Sequence, residues 1–287
     1  MNAAIRCSLC EGEPRPAFEK HGILIYDCPR CGHRFAHAPA THAHHVEHTY
    51  DDQYFMGGGA GYPNYLEGSE LLVAHGRRYG RLLRRYAPAG RLLDVGAAAG
   101  FVLAGLRSEG WDGYGVEPNA RMADYACATL RIPVAASAFE DYRPDLLFDV
   151  LTLVQVMAHF VDPTKAVARV YDLLVPGGIC LVETWNVRSW TARLLGQRWH
   201  EYSPPSVLQW FAPMTLDRLF ESRGFARIAR GRPSKWIMVR HAQSLLAHKA
   251  QESVTARLLT AVLKAIPGGL QIPYPAEDLF WTLYRKR

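Results

Sequence analysis

The sequence lacks any run of about eighteen apolar residues, which is the length that a membrane-spanning helix requires. Residues 1–7 also lack the apolar core of a secretory signal peptide, and no internal repeat recurs along the chain. These absences argue against an integral membrane protein, an exported protein and a repeat architecture. We therefore expect a cytoplasmic protein without a membrane-spanning segment.

A strong charge of one sign is absent as well. Lys and Arg number 33 against 27 Asp and Glu, which gives a formal net charge of +6. The excess is spread along the chain, with five arginines between residues 77 and 85 and a basic end at 285–287. A nucleic-acid surface would place such charges on one face with aromatic side chains between them. We interpret the arginines as a solvated helix face.

Four of the six cysteines lie near the N-terminus in two Cys-x-x-Cys pairs. Cys7 and Cys10 make one pair, Cys28 and Cys31 make the other, and seventeen residues separate the pairs. This spacing lets four thiolates close a tetrahedral zinc site. A segment this short has too little core to fold without such a metal. We predict a small zinc ribbon in residues 1–36, with zinc in a structural role because no coordination place stays open.

Residues 37–65 form a predicted linker. Six histidines lie between His33 and His48, and their spacing matches no regular metal site, so a solvent-exposed linker is the preferred interpretation beside metal binding. Four tyrosines also occur here, namely Tyr50, Tyr54, Tyr62 and Tyr65. The glycines at 57–61 supply a hinge. Together these residues predict a lid over a site in the following domain.

From residue 66 onward, apolar strand-like runs alternate with helical patterns, which predicts an α/β fold with a mostly parallel sheet and helices on both faces. The predicted strands, about seven, are 91–95, 112–117, 133–136, 148–156, 179–184, 225–229 and 279–284. The predicted helices are 66–86, 101–110, 119–130, 162–174, 213–223, 237–248 and 252–265. The last two form a predicted helical insertion at about 237–265.

A glycine-containing loop at 94–100 follows the first of these strands and precedes a helix. Glycines at 96 and 100 let a ligand approach the backbone closely, and the helix offers unpaired N–H groups. Glu117 ends the next strand, where a carboxylate accepts the ribose hydroxyls of an adenosine cofactor. The Gly-x-Gly-x-x-Gly pattern of dinucleotide-binding folds is missing, because Ala98 takes the middle place. Taken alone, the loop therefore also fits a structural turn.

Further motifs follow the loop in a recognisable order. The set comprises the loop 94–100, Glu117, the segment 137–140, the segment 148–163 and the Leu-x-Pro-Gly-Gly turn at 174–178. On these motifs, residues 66–287 resemble the class I S-adenosylmethionine-dependent methyltransferases. The resemblance implies a Rossmann-like seven-stranded sheet with an antiparallel last strand, and S-adenosylmethionine as the cofactor. The residues it implies for cofactor binding are Asp94, Gly96, Ala98, Gly100, Glu117, Pro118, Ala138, Phe139, Gln155 and Tyr65.

Two positions depart from the family's pattern. Ala98 stands where a small glycine is usual, and its methyl group narrows the space expected for the methionine moiety. Ala158 stands where the family often has an acid, just before the histidine of the fourth-strand segment. Neither departure excludes cofactor binding, and both leave the catalytic groups open.

The methyl acceptor is expected beyond the carboxyl ends of the strands, where ligands bind in open parallel sheets. His159 lies on that side, where a neutral imidazole accepts a proton from a hydroxyl or amine; packing, or capping of the helix after Asp162, is the alternative. An acceptor-side insertion at about 185–212 is rich in aromatic residues, which line either an apolar pocket or a satellite core. We take His159, His200 and Tyr202 as the candidate catalytic residues.

Three functions fit these features. The first is methylation of a small molecule, because the cysteine segment, residues 50–55 and residues 197–211 together resemble bacterial methyltransferases of sugar and secondary-metabolite pathways. The second is RNA methylation, since ribosomal-RNA guanine methyltransferases also carry a four-cysteine ribbon on this fold; nucleic acid is then the partner. The third is a non-catalytic module that binds the cofactor or a partner. The sequence leaves the acceptor, the methylated atom and the oligomeric state open.

Overall fold

The computed structural model describes residues 5–37, 45, 49–57, 65–238, 271–274 and 276–287. The chain divides into two compact units, Met1–Arg232 with Glu277–Arg287 and Pro233–Ala276, and each unit is described by itself. Within the described ranges, no helix is both long and apolar enough to cross a membrane.

The secondary structure alternates strands and helices over most of the first unit. The strands in chain order are β1 (Arg15–Lys20), β2 (Ile23–Asp27), β3 (Arg34–Ala36), β4 (Arg91–Val95), β5 (Asp112–Glu117), β6 (Val134–Ala136), β7 (Phe148–Val154), β8 (Leu174–Trp185), β9 (Gln209–Trp210), β10 (Phe225–Gly231), β11 (Lys235–Met238), β12 (Gln271–Tyr274) and β13 (Leu279–Lys286). The α-helices are α1 (Asp52–Met56), α2 (Ser69–Leu83), α3 (Phe101–Ser108), α4 (Ala120–Tyr125), α5 (Pro163–Leu173), α6 (Trp190–Leu195) and α7 (Pro213–Glu221).

Seven strands form the main sheet, in the order β10-β13-β8-β7-β4-β5-β6. The strands from β8 to β6 pair in parallel, and β13 runs antiparallel to both of its neighbours. Helices cover both faces, so β7 and most of β8 are buried. The sheet confirms the predicted Rossmann-like architecture with an antiparallel last strand.

Local sequence signals explain where several helices begin. The Asp162 carboxylate accepts hydrogen bonds from the backbone N–H groups of Thr164 and Lys165, and Pro163 occupies the first turn of α5. Asn119 caps α4 in the same way, through its Oδ1 atom and the Met122 N–H at 2.9 Å. The predicted helix at 66–86 begins later than expected, because a 3-10 turn at Tyr65–Gly68 precedes α2.

Helices α2 and α3 approach each other at two glycines. A Cβ atom on Gly76 would lie 2.0 Å from the Val102 carbonyl oxygen. A Cβ atom on Gly105 would lie 2.1 Å from the Val73 carbonyl oxygen. No side chain fits at these distances, so the close packing requires glycine at both positions. The contact fixes α2 beside the helix that follows the 94–100 loop.

A second sheet joins the cysteine segment to the acceptor-side insertion. Its order is β1-β2-β3-β9, and Phe35 of β3 stands opposite Gln209 of β9. Trp199, Tyr202 and Trp210 of the insertion are buried in one cluster with Ile25 of β2. Of the two uses considered for these aromatic side chains, the structure therefore shows a satellite core beneath the cysteine segment.

The second unit contains the antiparallel pair of β11 and β12. The predicted helix at 237–248 is wrong for its first two residues, since Ile237 and Met238 belong to β11 and pair with Ile272 and Gln271. Cross-strand pairing here overrides a local helical pattern. The remainder of the predicted insertion at 237–265 lies outside the described residues.

Candidate active site

The loop at 94–100 turns sharply between β4 and α3. Gly96 and Gly100 have φ angles of +66° and +80°, and Ala98 between them has a φ of +46°. The N–H groups of Gly96 and Ala97 donate to the Val116 carbonyl oxygen at 2.8 and 3.1 Å. These bonds fix the loop at the carboxyl end of the sheet, with its backbone exposed to an approaching ligand.

Glu117 lies at the end of β5, against the same loop. Its two carboxylate oxygens accept hydrogen bonds from the N–H groups of Ala98 and Asn119, each at 2.9 Å. Burial raises the pKa of Glu117 to about 7, although both backbone N–H groups lower it. The carboxylate is thus held in one orientation. Burial favours its protonated form, and hydrogen bonds donated by a ligand would favour its ionised form.

Asp94 begins the loop and is hydrogen-bonded to the neighbouring strand β7. Its Oδ1 atom accepts a hydrogen bond of 2.6 Å from the Thr152 hydroxyl. Burial raises the pKa of Asp94 to about 7, against the effect of that hydrogen bond. Asp94 and Gly100 do not line the pocket that the loop borders. Their place is behind the loop, where they hold its shape.

The pocket lies at the carboxyl ends of β4, β5 and β7. Its empty volume is about 870 Å³ with the solvent at its mouth included. The sequence-predicted residues that line it are Tyr65, Gly96, Ala98, Glu117, Pro118, Ala138, Phe139, Gln155 and His159. Tyr50 and Tyr54 of the predicted lid line it as well. The other lining residues are Phe55, Val95, Val116, Glu140, Val154, Val156 and Phe160.

The segment 49–57 covers one side of the pocket. The Asn119 side-chain amide donates to the Tyr50 carbonyl oxygen at 3.1 Å and to Asp52 at 3.2 Å. The Tyr50 hydroxyl donates to the Ser206 carbonyl oxygen at 2.8 Å, and burial raises the pKa of Tyr50, so this donor stays protonated. The segment is therefore tied to both sides of the pocket, as a closed lid would be. Tyr62 and most of the predicted hinge at 57–61 lie outside the described residues.

His159 ends a 3-10 turn, Met157–His159, on the acceptor side of the pocket. Its Nδ1 atom lies 2.6 Å from the Ser206 carbonyl oxygen, which can only accept, so Nδ1 carries the proton. Burial lowers the pKa of His159, although backbone hydrogen bonds with Ser206 and Gln155 raise it. The ring is thus neutral, with Nε2 as its basic atom. The cap of α5 is Asp162, so capping is not the role of this histidine.

The other two candidate catalytic residues lie away from the pocket lining. Tyr202 is 2% exposed and packs edge-on against Phe18, Trp199 and Trp210. Its hydroxyl accepts from Arg34 of β3. His200 is exposed, with Nε2 2.8 Å from Glu201 Oε1. The structure therefore does not bring His200 or Tyr202 to His159, because their segment supports the cysteine segment instead.

A buried polar cluster behind Gln155 was missed by the sequence analysis. Glu183 of β8 is fully buried, and its Oε1 atom accepts from Gln155 Nε2 at 2.7 Å. Its Oε2 atom lies 2.8 Å from His75 Nε2 and accepts from the Tyr79 hydroxyl. No sequence motif connects these residues; the one available signal was a glutamate inside an otherwise apolar strand.

The four N-terminal cysteines converge in space. Their Sγ atoms all lie within 4.8 Å of one another, with Cys7–Cys31 at 3.6 Å and Cys10–Cys28 at 3.4 Å. Contact with Cys31 raises the pKa of Cys7, and the same contact lowers the pKa of Cys31. Four thiols so close suit a closed tetrahedral site for a soft divalent metal.

The predicted histidine linker is partly corrected by the structure. His33 is fully buried, and burial lowers its pKa to about 4. His45 is buried as well and contacts Tyr50 edge-on. His37 is exposed, as predicted, whereas His42, His44 and His48 lie outside the described residues. His33 contacts Gln209 of β9, and His45 contacts Tyr50 of the lid, so neither side chain is exposed to solvent.

The pattern of a methyltransferase domain family matches residues 73–229, more than half of the chain. The chain belongs to this family. The match spans the loop, Glu117, Gln155 and His159, so most of the pocket lining lies within the matched residues. Tyr50, Tyr54, Phe55 and Tyr65 lie before them. The matched family and the seven-stranded sheet agree with the class I methyltransferase fold that the sequence predicts.

Individual relatives agree with this assignment. The ubiquinone biosynthesis O-methyltransferase of Psychrobacter arcticus is 28% identical over 160 residues, which are 48% of this chain and 59% of that protein. An uncharacterized methyltransferase of Mycobacterium bovis is 36% identical over 104 residues, which are 36% of this chain and 42% of that protein. The chain thus spans about half the length of the curated relatives it matches.

Solved structures show the same fold. A methyltransferase from Archaeoglobus fulgidus described as S-adenosylmethionine-dependent aligns with a TM-score of 0.52 at 16% identity, over 77% of this chain and 99% of that one. A possible histamine N-methyltransferase from Thermotoga maritima aligns with a TM-score of 0.50 at 17% identity, over 78% of this chain and 93% of that one. At these identities the likeness concerns the fold.

Proposed function

We propose that the protein transfers the methyl group of S-adenosylmethionine to a hydroxyl oxygen of a small molecule. The observation that carries the proposal is His159, a neutral imidazole on the pocket wall whose Nδ1 proton is held by the Ser206 carbonyl oxygen. This arrangement leaves Nε2 to take a proton, which an attacking hydroxyl must lose. The similarity to ubiquinone biosynthesis O-methyltransferases supports the choice of oxygen.

The residues of the pocket fit the cofactor part by part. Glu117 would accept the two ribose hydroxyls, Ala138 and Phe139 would lie against the adenine, and the loop around Gly96 would hold the methionine moiety. The cofactor supplies an activated methyl group, so the protein need not form a covalent intermediate. What remains for the chain is to align the acceptor and to keep water out.

The lid and the apolar lining serve to keep water out. Tyr54, Phe55 and Phe160 border the pocket with apolar surface, and Tyr50 closes the gap between the lid and residue 206. His159 Nε2 then takes the proton that the attacking hydroxyl loses. The histidine acts at the moment of transfer, since its lowered pKa keeps it neutral beforehand.

We further propose that the four cysteines hold one structural zinc ion. All four ligand positions are thiolates, so no place is left for substrate or water. The cysteine segment shares a sheet with β9 and a buried core with the insertion. Its proposed role is therefore to stabilise the acceptor side of the enzyme.

The test is binding followed by turnover. Titration calorimetry with S-adenosylhomocysteine should give one site per chain with micromolar affinity, and Glu117→Ala should weaken it at least tenfold. Methyl transfer from labelled cofactor to a panel of phenols, sugar hydroxyls and amines should label hydroxyl acceptors. His159→Gln is the matched variant for the chemical step. Failure to bind at about millimolar ligand, or labelling of RNA in preference to every small molecule, would overturn the proposal.

A further inference from the structure

Gln209 lies between the cysteine segment and the pocket wall. Its side chain is 2% exposed, so each of its polar atoms needs a partner within the protein. The Oε1 atom lies 2.8 Å from His33 Nε2, two residues beyond Cys31. The Nε2 atom lies 3.1 Å from the Phe160 carbonyl oxygen, next to His159. One side chain thus connects His33, two residues from Cys31, with Phe160, the residue next to His159.

The direction of both hydrogen bonds follows from chemistry. The Phe160 carbonyl oxygen can only accept, so Gln209 donates from Nε2 and presents Oε1 to His33. His33 must then donate from its own Nε2. The His33 ring also stacks on Phe35 and lies 4.9 Å from the Phe211 ring. The polar contact is therefore enclosed by aromatic surface and has one possible arrangement.

Backbone hydrogen bonds run parallel to this side-chain bridge. The Ala36 N–H donates to the Leu208 carbonyl oxygen, and the Leu208 N–H donates to the Ala158 carbonyl oxygen, both at 2.8 Å. The Met157–His159 turn is thereby attached to the edge of the cysteine-bearing sheet. Ser206, two residues before Leu208, holds His159 Nδ1 and the Tyr50 hydroxyl. Both the base and the lid depend on the same short segment.

We propose that Gln209 is a positioning residue through which the cysteine segment fixes the 157–161 segment and with it His159. The inference rests on the proposed zinc site and on the proposed role of His159. It predicts that loss of the metal loosens the pocket wall, although no cysteine touches the pocket. Gln209 acts by holding neighbouring residues and does not itself line the pocket.

The experiment is hydrogen exchange on the full chain, with zinc bound and after its removal by a chelator. The reporters are the amides of His159 and Leu208, which donate to Val156 and Ala158. In the wild type we expect zinc removal to speed exchange at both amides at least about tenfold, and added zinc to reverse the change. Gln209→Leu should retain its zinc and show fast exchange at His159 with the metal bound. Chelation should then add little at that amide.

The control variant is Gln197→Leu, at an exposed glutamine of the same insertion, which should behave as the wild type. His33→Phe removes the other end of the bridge while keeping an aromatic ring, and serves if Gln209→Leu does not fold. Unchanged exchange at His159 on zinc removal, or wild-type exchange in both bridge variants, would overturn the inference. Binding of S-adenosylhomocysteine is measured in parallel, so failure of the proposed function appears separately as absent binding in the wild type.

Discussion

Gln155 and Glu183 are joined twice, by side chain and by backbone. Gln155 Nε2 donates to Glu183 Oε1 at 2.7 Å, and the Gln155 N–H donates to the Glu183 carbonyl oxygen at 2.8 Å. Gln155 also has a φ of +61°, which is uncommon outside glycine. The double attachment compensates for this strain and leaves the amide oxygen as the atom that Gln155 offers to the pocket.

Replacing Glu183 should therefore affect stability first. Glu183→Ala leaves Gln155, His75 and Tyr79 without their shared buried partner, and we expect the free energy of unfolding to fall by about 3 kcal/mol. Tyr79→Phe removes a single hydrogen bond and should cost about 1 kcal/mol. Urea unfolding of both variants measures the difference. Equal losses would show that Glu183 does not organise the cluster.

The affinity for S-adenosylhomocysteine should rise with pH. Burial raises the pKa of Glu117 to about 7 in the free protein, and ribose hydroxyls donate best to the ionised carboxylate. Below that pKa, binding must first remove a proton, so we expect affinity to increase about tenfold between pH 5.5 and 7.5. Glu117→Gln should bind weakly with a flat pH profile in calorimetry. Asp94→Asn tests whether the second carboxyl with a raised pKa contributes to this pH dependence.

The same carboxyls predict how the ligand-free protein responds to pH. Both folded-state pKa values are raised to about 7 from ordinary values near 4. The folded state then holds protons that the unfolded state has released, so stability is greatest below about pH 4 for these two groups alone and falls as pH rises to 7. The free energy of unfolding should fall between pH 5 and pH 7.5 in the wild type, and it should fall less in Glu117→Gln.

Ala98→Gly should stabilise the protein. Ala98 has a left-handed backbone with a φ of +46°, which costs an L-residue more than glycine. Glycine also makes the unfolded chain more flexible, which offsets part of this benefit. We expect the free energy of unfolding to rise by about 0.5 kcal/mol, with cofactor affinity equal or higher. Ala99→Gly is the matched control, since Ala99 is buried in the same loop without a positive φ. The free energy of unfolding of Ala99→Gly, measured by thermal unfolding, should be lower by about 0.5–1 kcal/mol.

His159→Gln should slow methyl transfer without weakening the cofactor. The variant can still donate to the Ser206 carbonyl oxygen but has no basic nitrogen, so the rate at saturating substrates should fall about a hundredfold or more. Affinity for S-adenosylhomocysteine should stay within about twofold. Because the pKa of His159 is lowered, the wild-type rate should persist below pH 6.5. A parallel loss of rate and of cofactor affinity would assign His159 to binding instead.

Loss of one cysteine should release the proposed metal. Cys28→Ser removes a buried ligand, and we expect zinc content to drop and the free energy of unfolding to fall by about 3 kcal/mol. Cys127→Ser lies outside the cluster and should keep its zinc and its melting temperature. Elemental analysis and thermal unfolding of the pair provide the measurement. Full zinc content in Cys28→Ser would contradict the four-cysteine site.

Sequence reasoning succeeded where a feature is local. The mostly parallel sheet, the helices that begin after Asn119 and Asp162, and the convergence of the loop with Glu117 all arise from neighbouring residues or from the topology of a parallel sheet. The placement of Gly96, Ala98, Glu117 and His159 on one pocket follows from the same rule, because carboxyl ends of parallel strands share an edge.

It failed where distant segments meet. Glu183 and His75 lie 108 positions apart, and Gln209 and His33 lie 176 positions apart, so no local pattern connects them. Tyr202 resembled a pocket residue because aromatic side chains suit both pockets and cores. Only the pairing of β3 with β9 shows that it serves a core.

The pairing of β3 with β9 also imposes an order on folding during synthesis. The four cysteines emerge from the ribosome early, whereas the partner strand at residues 209–210 follows 174 positions after Phe35. For about ten seconds or longer at ordinary synthesis rates, β3 exposes an unpaired edge, and the aromatic residues that will cover it do not yet exist. The cysteine segment therefore completes its sheet only after a distant part of its own chain has been synthesised.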